Sequence, residues 1–204
     1  MNNQNKFSDK TVKRLLIYKS ILSDLREQEY EYIRSYELAE FANNKPAQVR
    51  RDIMSIQYMG HPSKGYNIID LTSTINKKLK LTKHIKVGIV GMGRLGMAIY
   101  KYLKEHNSRF AVSAVFDNNV GNKHNITEIH DIKELQEIIK KEKITFIILS
   151  LPAEFAQEVT NILNKTKIKG LLNFTHVQLK VKKHIKVNSV DITLEMEKLS
   201  FFSH

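Results

Sequence analysis

The spacing of apolar residues along the chain changes character near residue 82. Before it, the spacing is mostly helical, and the apolar positions from Val12 to Leu25 recur every three or four residues, which predicts one amphipathic helix. After residue 83, short apolar runs alternate with helical stretches, a pattern typical of a parallel α/β sheet. The pattern therefore predicts two domains, residues 1–82 and residues 83–204.

The first domain is predicted to contain several helices followed by a hairpin. A short helix from Tyr36 to Ala42 comes after the amphipathic helix. Pro46 then suits the first position of a third helix, where its missing N–H costs nothing, and that helix is expected to run to about Gln57. A glycine-containing hairpin, a strand over 66–69 and a last helix over 71–81 complete the domain. This order is that of a winged helix-turn-helix, a DNA-binding domain.

The third helix carries the side chains expected to read DNA. Val49, Ile53 and Ile56 share one face that should pack inward, so the arginine-bearing face is turned outward. In the major groove, arginine bonds guanine and glutamine bonds adenine, while nearby basic residues hold phosphates. The predicted DNA-binding residues are Lys45, Gln48, Arg50, Arg51, His61 and Lys64. The alternative is a three-helix domain whose arginines are only solvated.

A glycine-rich segment of the second domain predicts a dinucleotide site. The predicted strand Ile85–Val90 runs into a G-x-G-x-x-G sequence and then a helix, which is the Rossmann order. Gly91 should make the tight turn, Gly93 should admit a pyrophosphate, and Gly96 should let the helix pack closely. The helix N-terminus supplies free N–H groups and a positive dipole end for phosphates. The predicted cofactor-binding residues of this loop are Gly91, Met92, Gly93, Arg94, Leu95 and Gly96.

An acidic residue beyond the loop indicates which dinucleotide is bound. Asp117 follows the predicted strand Phe110–Phe116 and lies 21 residues beyond Gly96. A carboxylate there accepts hydrogen bonds from a ribose 2′-hydroxyl and repels a 2′-phosphate, so NAD(H) is expected rather than NADP(H). The alternative is a Rossmann shell whose glycines serve only packing.

The length of the second domain favours a binding function over catalysis. A dehydrogenase needs a further domain to bring substrate to the nicotinamide, and residues 117–204 are used in completing the sheet. The histidines are scattered, with no partner at a catalytic spacing. We therefore expect a protein that is not an enzyme. The alternatives are a small NAD-dependent oxidoreductase, a CoA-binding Rossmann protein, and a repressor that has lost cofactor sensing.

Composition narrows the class of protein further. The net charge is +12, which favours nucleic acid as a partner, but +5 lies in residues 1–82 and +7 in residues 83–204, so charge alone does not locate a binding face. The absence of cysteine excludes disulfides and thiolate zinc sites and fits a reducing cytoplasm. No apolar run has transmembrane length and no secretory signal is present, so we expect a cytoplasmic protein without membrane association or metal.

Four segments together resemble the Rex family of redox-sensing transcriptional repressors, from about Lys13 to Phe202. They are QVRRD at 48–52, VGMGRLG at 90–96, LPAEFAQEV at 151–159, and GLLNF at 170–174 followed by VD and LSFF near the C-terminus. The resemblance implies an α/β protein with an N-terminal winged helix-turn-helix, a C-terminal Rossmann domain and a domain-swapped C-terminal helix. It implies a homodimer that binds palindromic operator DNA when NADH is scarce and releases it when NADH binds.

The resemblance also assigns residues outside the glycine loop. It implies cofactor contacts at Leu151, Pro152 and Asn173. It implies switch or dimer contacts at Tyr102, Asp191, Leu199, Phe201 and Phe202, with Tyr102 matching the family's tyrosine partner of the aspartate at Asp191.

Several positions depart from the pattern of the family. Ser20 stands where the family has an arginine that pairs in one state with the aspartate matching Asp191. The hairpin over 60–66 lacks the family's run of glycine and basic residues. Thr175 and His176 stand where the family has Ala and Pro. These departures suggest altered operator choice, a weaker response to NADH, or both.

Overall fold

A computed structural model describes residues 7–106, 109–119 and 128–203 of the chain. The chain divides into two compact units, Met1–Lys83 and His84–His204, one residue later than the boundary expected from the sequence. Among the described helices, none is long and apolar enough to span a bilayer.

The first unit has the predicted winged helix-turn-helix order. Its elements are α1 (Asp9–Glu27), β1 (Tyr32–Ile33), α2 (Ser35–Phe41), α3 (Pro46–Ser55), β2 (Tyr66–Asn67) and α4 (Ile68–Lys78). The two short strands pair antiparallel, with Ile33 opposite Tyr66. Pro46 occupies the first turn of α3, as its missing N–H predicts.

Several element boundaries in this unit differ from the prediction. The helix expected over 71–81 begins earlier, at Ile68, because the side chain of Asn67 accepts a hydrogen bond from the backbone N–H of Asp70 and caps it. The strand expected over 66–69 is therefore only two residues long. The helix α3 ends at Ser55 rather than near Gln57, where the backbone turns left-handed with φ of 60°.

The core of the first unit forms between α1, α3 and α4. Val49, Ile53 and Ile56 are buried, which confirms the inward face predicted for α3. They pack in one apolar cluster with residues of α1, α2 and α4, including Leu15, Leu22, Leu38, Leu71 and Ile75. Burying this face orients the opposite face of α3 toward solvent.

The second unit is a five-stranded parallel sheet with the strand order β4-β3-β5-β6-β7. Its elements are β3 (Ile85–Val90), α5 (Arg94–Glu105), β4 (Phe110–Phe116), α6 (Leu135–Glu142), β5 (Phe146–Leu149), α7 (Ala153–Leu163), β6 (Gly170–Asn173), β7 (Lys186–Ser189) and α8 (Ile192–Phe202). The chain leaves β3 first toward β4 and later toward β5. This reversal of direction between β3 and β5 is the place where open parallel sheets bind ligands.

Apolar clusters pack on the sheet strands and extend to the helices. One includes Phe116 and Leu149 with residues of α6 and α7. The other includes Ile89 and Val115, with residues of α5 packed against it. The inner strands β3, β5 and β6 are thus mostly buried apolar runs, which is typical of parallel sheets. The edge strand β7 is exposed along its whole length.

The last helix, α8, has an exposed apolar surface. Phe201 is 76% exposed and Phe202 is 82% exposed, and Leu194 and Leu199 are also more than half exposed. Asp191 caps the helix by accepting a hydrogen bond from the N–H of Leu194. The single chain therefore leaves exposed the side chains for which the family resemblance implies a dimer contact.

Candidate dinucleotide and DNA-binding sites

The glycine loop follows β3 and makes the tight turn expected of it. Gly91 has φ of 95°, in the left-handed region that favours glycine, and a Cβ there would lie 2.6 Å from the carbonyl of Ser150. Its N–H donates to the carbonyl of Phe116 at 2.9 Å. A Cβ on Gly96 would overlap the carbonyl oxygen of Gly91. Both glycines therefore bring the backbone segments of the loop close together.

Gly93 has different surroundings from its two neighbours in the motif. It caps the N-terminus of α5, and a Cβ added to it meets no described atom within 4 Å. Gly93 has no side chain to bond the first amides of the helix, and Gly93, Arg94 and Leu95 are exposed. This helix end thus presents free N–H groups and a positive dipole end to an open space, which suits a phosphate.

Asp117 lies beside the glycine loop. Its Oδ2 accepts a hydrogen bond from the backbone N–H of Met92 at 2.6 Å, and its Oδ1 accepts one from Asn119 at 2.8 Å. The carboxylate is partly exposed. A negative charge is thus held at the end of β4, next to the loop. The side chain of Met92 is buried, so this residue presents mainly its backbone to the site.

The end of β5 forms the other side of the site. The Ser150 N–H donates to the carbonyl of Val90 at 2.9 Å, and its hydroxyl donates to the carbonyl of Gly91 at 2.9 Å. Leu151 is buried, and the exposed Pro152 precedes the first residue of α7. Ser150 was not predicted as a site residue, although its place directly after the buried strand β5 marks it as a residue of this sheet edge.

Asn173 is held by the protein rather than open to a ligand. Its side chain is 1% exposed, and its amide donates to the carbonyl of Val177 at 2.8 Å and to the hydroxyl of Ser189 at 3.2 Å. Its oxygen accepts from the N–H and the hydroxyl of Thr175. These bonds hold the segment after β6 in place, and a cofactor contact at Asn173 stays a prediction.

Asp191 and Tyr102 have separate partners within the chain. The pKa of Asp191 is lowered, chiefly by the hydrogen bond from the N–H of Leu194 and also by His176, whose Nδ1 lies 3.5 Å from Oδ1. The exposed ring of Tyr102 stacks on His106 at 4.1 Å. A pairing of Tyr102 with Asp191 is not formed in the described chain, and it stays a prediction for a dimer.

The outward face of α3 presents two arginines. Arg50 and Arg51 are exposed, and the Arg50 guanidinium donates to the hydroxyl of Ser35 at 3.1 Å. Lys45, at the N-cap of α3, is also exposed. Lys45, Gln48 and Arg51 line one concave surface of about 400 Å³ at this end of the helix. The face is basic and open to solvent, as a recognition helix requires.

Gln48 differs from the outward position expected for it. Its side chain is half-buried, and its amide nitrogen donates to Oδ1 of Asp52 at 2.9 Å. Asp52 is itself 3% exposed and also accepts from Arg14, at 2.6 and 2.7 Å, and from the hydroxyl of Tyr18 at 3.0 Å. Burial alone would raise the pKa of Asp52, but the hydrogen bonds from Arg14, Gln48 and Tyr18 lower it.

The hairpin carries His61 and Lys64 on its exposed surface. It closes through hydrogen bonds between His61 and Gly65 at 2.6 and 2.9 Å, and Gly65 has φ of 90°. The Lys64 ammonium lies 5.0 Å from the centre of the Tyr32 ring. Arg34 lies against the hairpin and donates to the carbonyl of Ser63 at 3.5 Å, so it adds a positive charge that the sequence analysis missed.

Comparison with known protein families matches both units of the chain. A family described as a putative DNA-binding protein N-terminus matches residues 6–53, and one described as a CoA binding domain matches residues 82–177. A redox-sensing transcriptional repressor Rex of Brevibacillus brevis is 33% identical over 205 residues, covering 99% of each protein. A repressor of the same name from Listeria welshimeri is 31% identical and covers 99% of this chain and 95% of its own length.

Solved structures of a Rex-family repressor named RSP are also similar. RSP in complex with β-NAD⁺ and operator DNA matches with a TM-score of 0.85 and 29% identity, over 96% of this chain and 92% of RSP. RSP in complex with β-NADH matches with a TM-score of 0.84 and 29% identity, over 96% of this chain and 93% of RSP. The similarity therefore extends over both the helical unit and the sheet unit.

Proposed function

The chain belongs to the Rex family of redox-sensing transcriptional repressors, and we propose that it represses transcription in response to NADH. The protein binds operator DNA when NADH is scarce and releases it when NADH binds. It acts as a DNA-binding regulator and not as an enzyme. The observation that carries the proposal is that one chain contains both an exposed arginine-bearing helix and an open glycine loop with Asp117 beside it.

The residues at the edge of the sheet fit NAD(H). The open space beside Gly93 would receive the pyrophosphate, and the amides at the start of α5 would bond it. Asp117 would accept hydrogen bonds from the ribose hydroxyls and repel a 2′-phosphate. Leu151 and Pro152 would line the other side of the site. When bound, the cofactor supplies a nicotinamide that is positively charged when oxidised and neutral when reduced.

Release of DNA on NADH binding is a linkage between two sites. NADH must bind the DNA-incompetent state of the dimer more tightly than the DNA-competent state, and DNA must then weaken NADH binding by the same factor. A two-fold homodimer suits a palindromic operator, because each winged helix meets one half-site. The exposed apolar face of α8, including Leu199, Phe201 and Phe202, is the surface that we assign to the partner subunit. With operator DNA as its partner, the protein acts in the cytoplasm.

A repressor with altered cofactor sensing is a second candidate function. Ser20 is exposed on α1 and offers no guanidinium to the aspartate with which the family's arginine pairs. Asp191 has a local partner in His176 instead. Without this ion pair, the DNA-competent and DNA-incompetent states of the dimer would differ less in free energy. The change in operator affinity on NADH binding would therefore be smaller in this protein.

The DNA-binding part of the proposal is tested by Arg50→Ala. Removing a guanidinium that bonds a guanine should cost about 1–3 kcal/mol, or roughly 5- to 150-fold in operator affinity. Fluorescence anisotropy with a palindromic duplex measures this loss. Arg26→Ala is the control, because it removes the same charge from the last turn of α1. Equal operator affinities for the two variants would contradict the assignment of α3.

A further inference from the structure

The basic charge of the sheet unit is concentrated in one segment. Residues 159–190 contain seven lysines and no aspartate or glutamate, whereas the rest of 83–204 contains twelve basic and twelve acidic residues. The excess of +7 in this part of the chain is therefore carried by one stretch. The seven lysines, which we call the lysine band, are Lys165, Lys167, Lys169, Lys180, Lys182, Lys183 and Lys186.

The topology brings most of the band to one edge of the sheet. Three of its lysines immediately precede β6, and three lie just before or at the start of β7. Because all ladders of the sheet are parallel, the starts of the strands lie at one edge and the glycine loop lies at the opposite edge. The lysine band is therefore separate from the dinucleotide site.

Hydrogen bonds fix the two halves of the band beside each other. The side chain of Asn164 donates to the carbonyl of Lys180 at 3.0 Å and accepts from the N–H of Lys182 at 2.8 Å. The N–H of Lys186 donates to the carbonyl of Lys169 at 2.9 Å. Gln157 of α7 adds a bond from the N–H of Lys180 at 2.9 Å. The lysines are thus presented from an ordered backbone.

The ammonium groups of the band are available to a partner. All seven lysines are exposed, and none forms an ion pair with a carboxylate in the part of the chain that the structure describes. Lys140 and Lys143 join Lys165, Lys167 and Lys169 around a concavity of about 690 Å³. The nearby Glu142 is paired with Lys86 at 3.2 Å, and Glu137 is the carboxylate that lines the concavity. Like charges held this close favour a polyanionic partner.

We propose that the lysine band is a second, sequence-independent contact surface for the phosphate backbone of DNA. This proposal rests on the proposed function, because that function makes DNA the polyanionic partner. Lysine is a point charge that binds phosphate without reading bases. Seven lysines spread over the starts of β6 and β7 and the segments before them suit a run of phosphates rather than one small anion. A lipid surface is disfavoured, because the band has no exposed aromatic residue and no amphipathic helix to insert among lipids.

The experiment measures binding of the full-length protein to a labelled duplex that lacks the operator, at several KCl concentrations. The variant Lys167→Gln/Lys169→Gln/Lys186→Gln removes three charges of the band. Each phosphate contact contributes about 0.9 to the slope of log K against log salt, so the slope should fall by about 2–3. The control is Lys101→Gln/Lys133→Gln/Lys141→Gln, which neutralises three exposed lysines elsewhere in the same unit and should leave the slope nearly unchanged.

Two results would overturn the proposal. One is an equal salt slope for the band variant, the control variant and the unsubstituted protein. The other is an unchanged DNA slope together with lost binding to vesicles of anionic phospholipid, which would assign the band to a membrane. Operator discrimination, measured separately with Arg50→Ala, reports on the winged helix. Failure of operator binding therefore bears on the proposed function, while the salt slope on unrelated DNA still decides the lysine band.

Discussion

At the scale of single residues, the three glycines of the loop have different physical reasons to be glycine. A side chain at Gly91 or Gly96 would collide with the protein itself, whereas one at Gly93 would project into open space. The first two therefore serve the fold. Gly93 has φ of −67°, a value that any residue adopts, so the fold alone does not require glycine there.

Gly93→Val should remove dinucleotide binding without unfolding the protein. The valine side chain would occupy the space beside the start of α5 where the pyrophosphate is placed, so NADH affinity should fall by about tenfold or more. Isothermal titration calorimetry measures the affinity, and thermal unfolding without cofactor should be nearly unchanged. Gly91→Ala is the contrasting variant, since its positive φ predicts lost stability. Normal NADH affinity in Gly93→Val would place the pyrophosphate elsewhere.

The buried carboxylate of Asp52 fixes α3 to α1. It accepts hydrogen bonds from Arg14, Tyr18 and Gln48, and together these bonds lower its pKa despite burial, which acts to raise it. Because the pKa of Asp52 is lower in the folded state, its carboxylate stabilises the fold at pH values above the ordinary aspartate pKa of 3.8. That contribution is lost as the pH falls through the folded-state value.

Asp52→Asn should destabilise the first unit by about 3 kcal/mol or more, because it leaves the Arg14 charge without its partner. Urea unfolding measures the difference from the unsubstituted protein. The difference in free energy of unfolding between Asp52→Asn and the unsubstituted protein should be constant between about pH 5 and 7. It should shrink as the pH falls below 3.8. Asp24→Asn, at an exposed position of α1, is the control. A difference that grows toward acid pH would contradict the account of this carboxylate.

At the scale of elements, hydrophobic spacing predicted the longer helices and the strands β3 and β4, but not the two-residue strand β1 or the ends of α3 and α4. The face of α3 formed by Val49, Ile53 and Ile56 and the strand β3 are as expected, because burial of apolar residues determines both. The start of α4 was missed because it depends on one side-chain cap, Asn67. Caps depend on local geometry that a periodic pattern does not contain.

The apolar side chains of α8 are exposed in the single chain, and we propose that a partner subunit covers them. Leu199→Asp/Phe201→Asp should therefore convert a dimer to monomers, because it places two charges on the apolar face assigned to the partner subunit. Light scattering coupled to size-exclusion chromatography measures the mass. Lys198→Ala, a change at an exposed polar position of the same helix, should leave the dimer intact. Persistence of the dimer in the double variant would assign the interface to another surface.

The parts of the candidate sites that depend on backbone conformation or on the charge of one residue could be predicted from the sequence. The glycine loop and Asp117 were found because the motif itself records the turn and the acidic residue. The hydrogen bonds of Gln48 and Asn173 were not predicted. Gln48 bonds Asp52 one helical turn away, but Asp52 is itself held by Arg14 and Tyr18, which are distant in sequence. Asn173 bonds Ser189, 16 residues further along the chain. A periodic pattern indicates which face a residue occupies, and hydrogen-bond partners across the fold decide what its polar atoms do.

At the scale of the whole molecule, the proposed function is a coupling between a cofactor site and a DNA site. Each proposed site belongs to a separate unit of the chain. A coupling free energy of 1–3 kcal/mol, roughly 5- to 150-fold in affinity, is typical of such linkage. Because Ser20 lacks the guanidinium of the family's arginine, we expect a coupling free energy near the lower end of this range.

The coupling is tested most directly by titrating the full-length protein with a labelled palindromic operator in the presence of NAD⁺, NADH or no cofactor. The account predicts that NADH weakens operator binding by at least about fivefold relative to NAD⁺, and that operator DNA weakens NADH binding by the same factor. Equal operator affinities with NADH and NAD⁺, measured at cofactor concentrations that saturate the protein, would contradict redox sensing by this repressor.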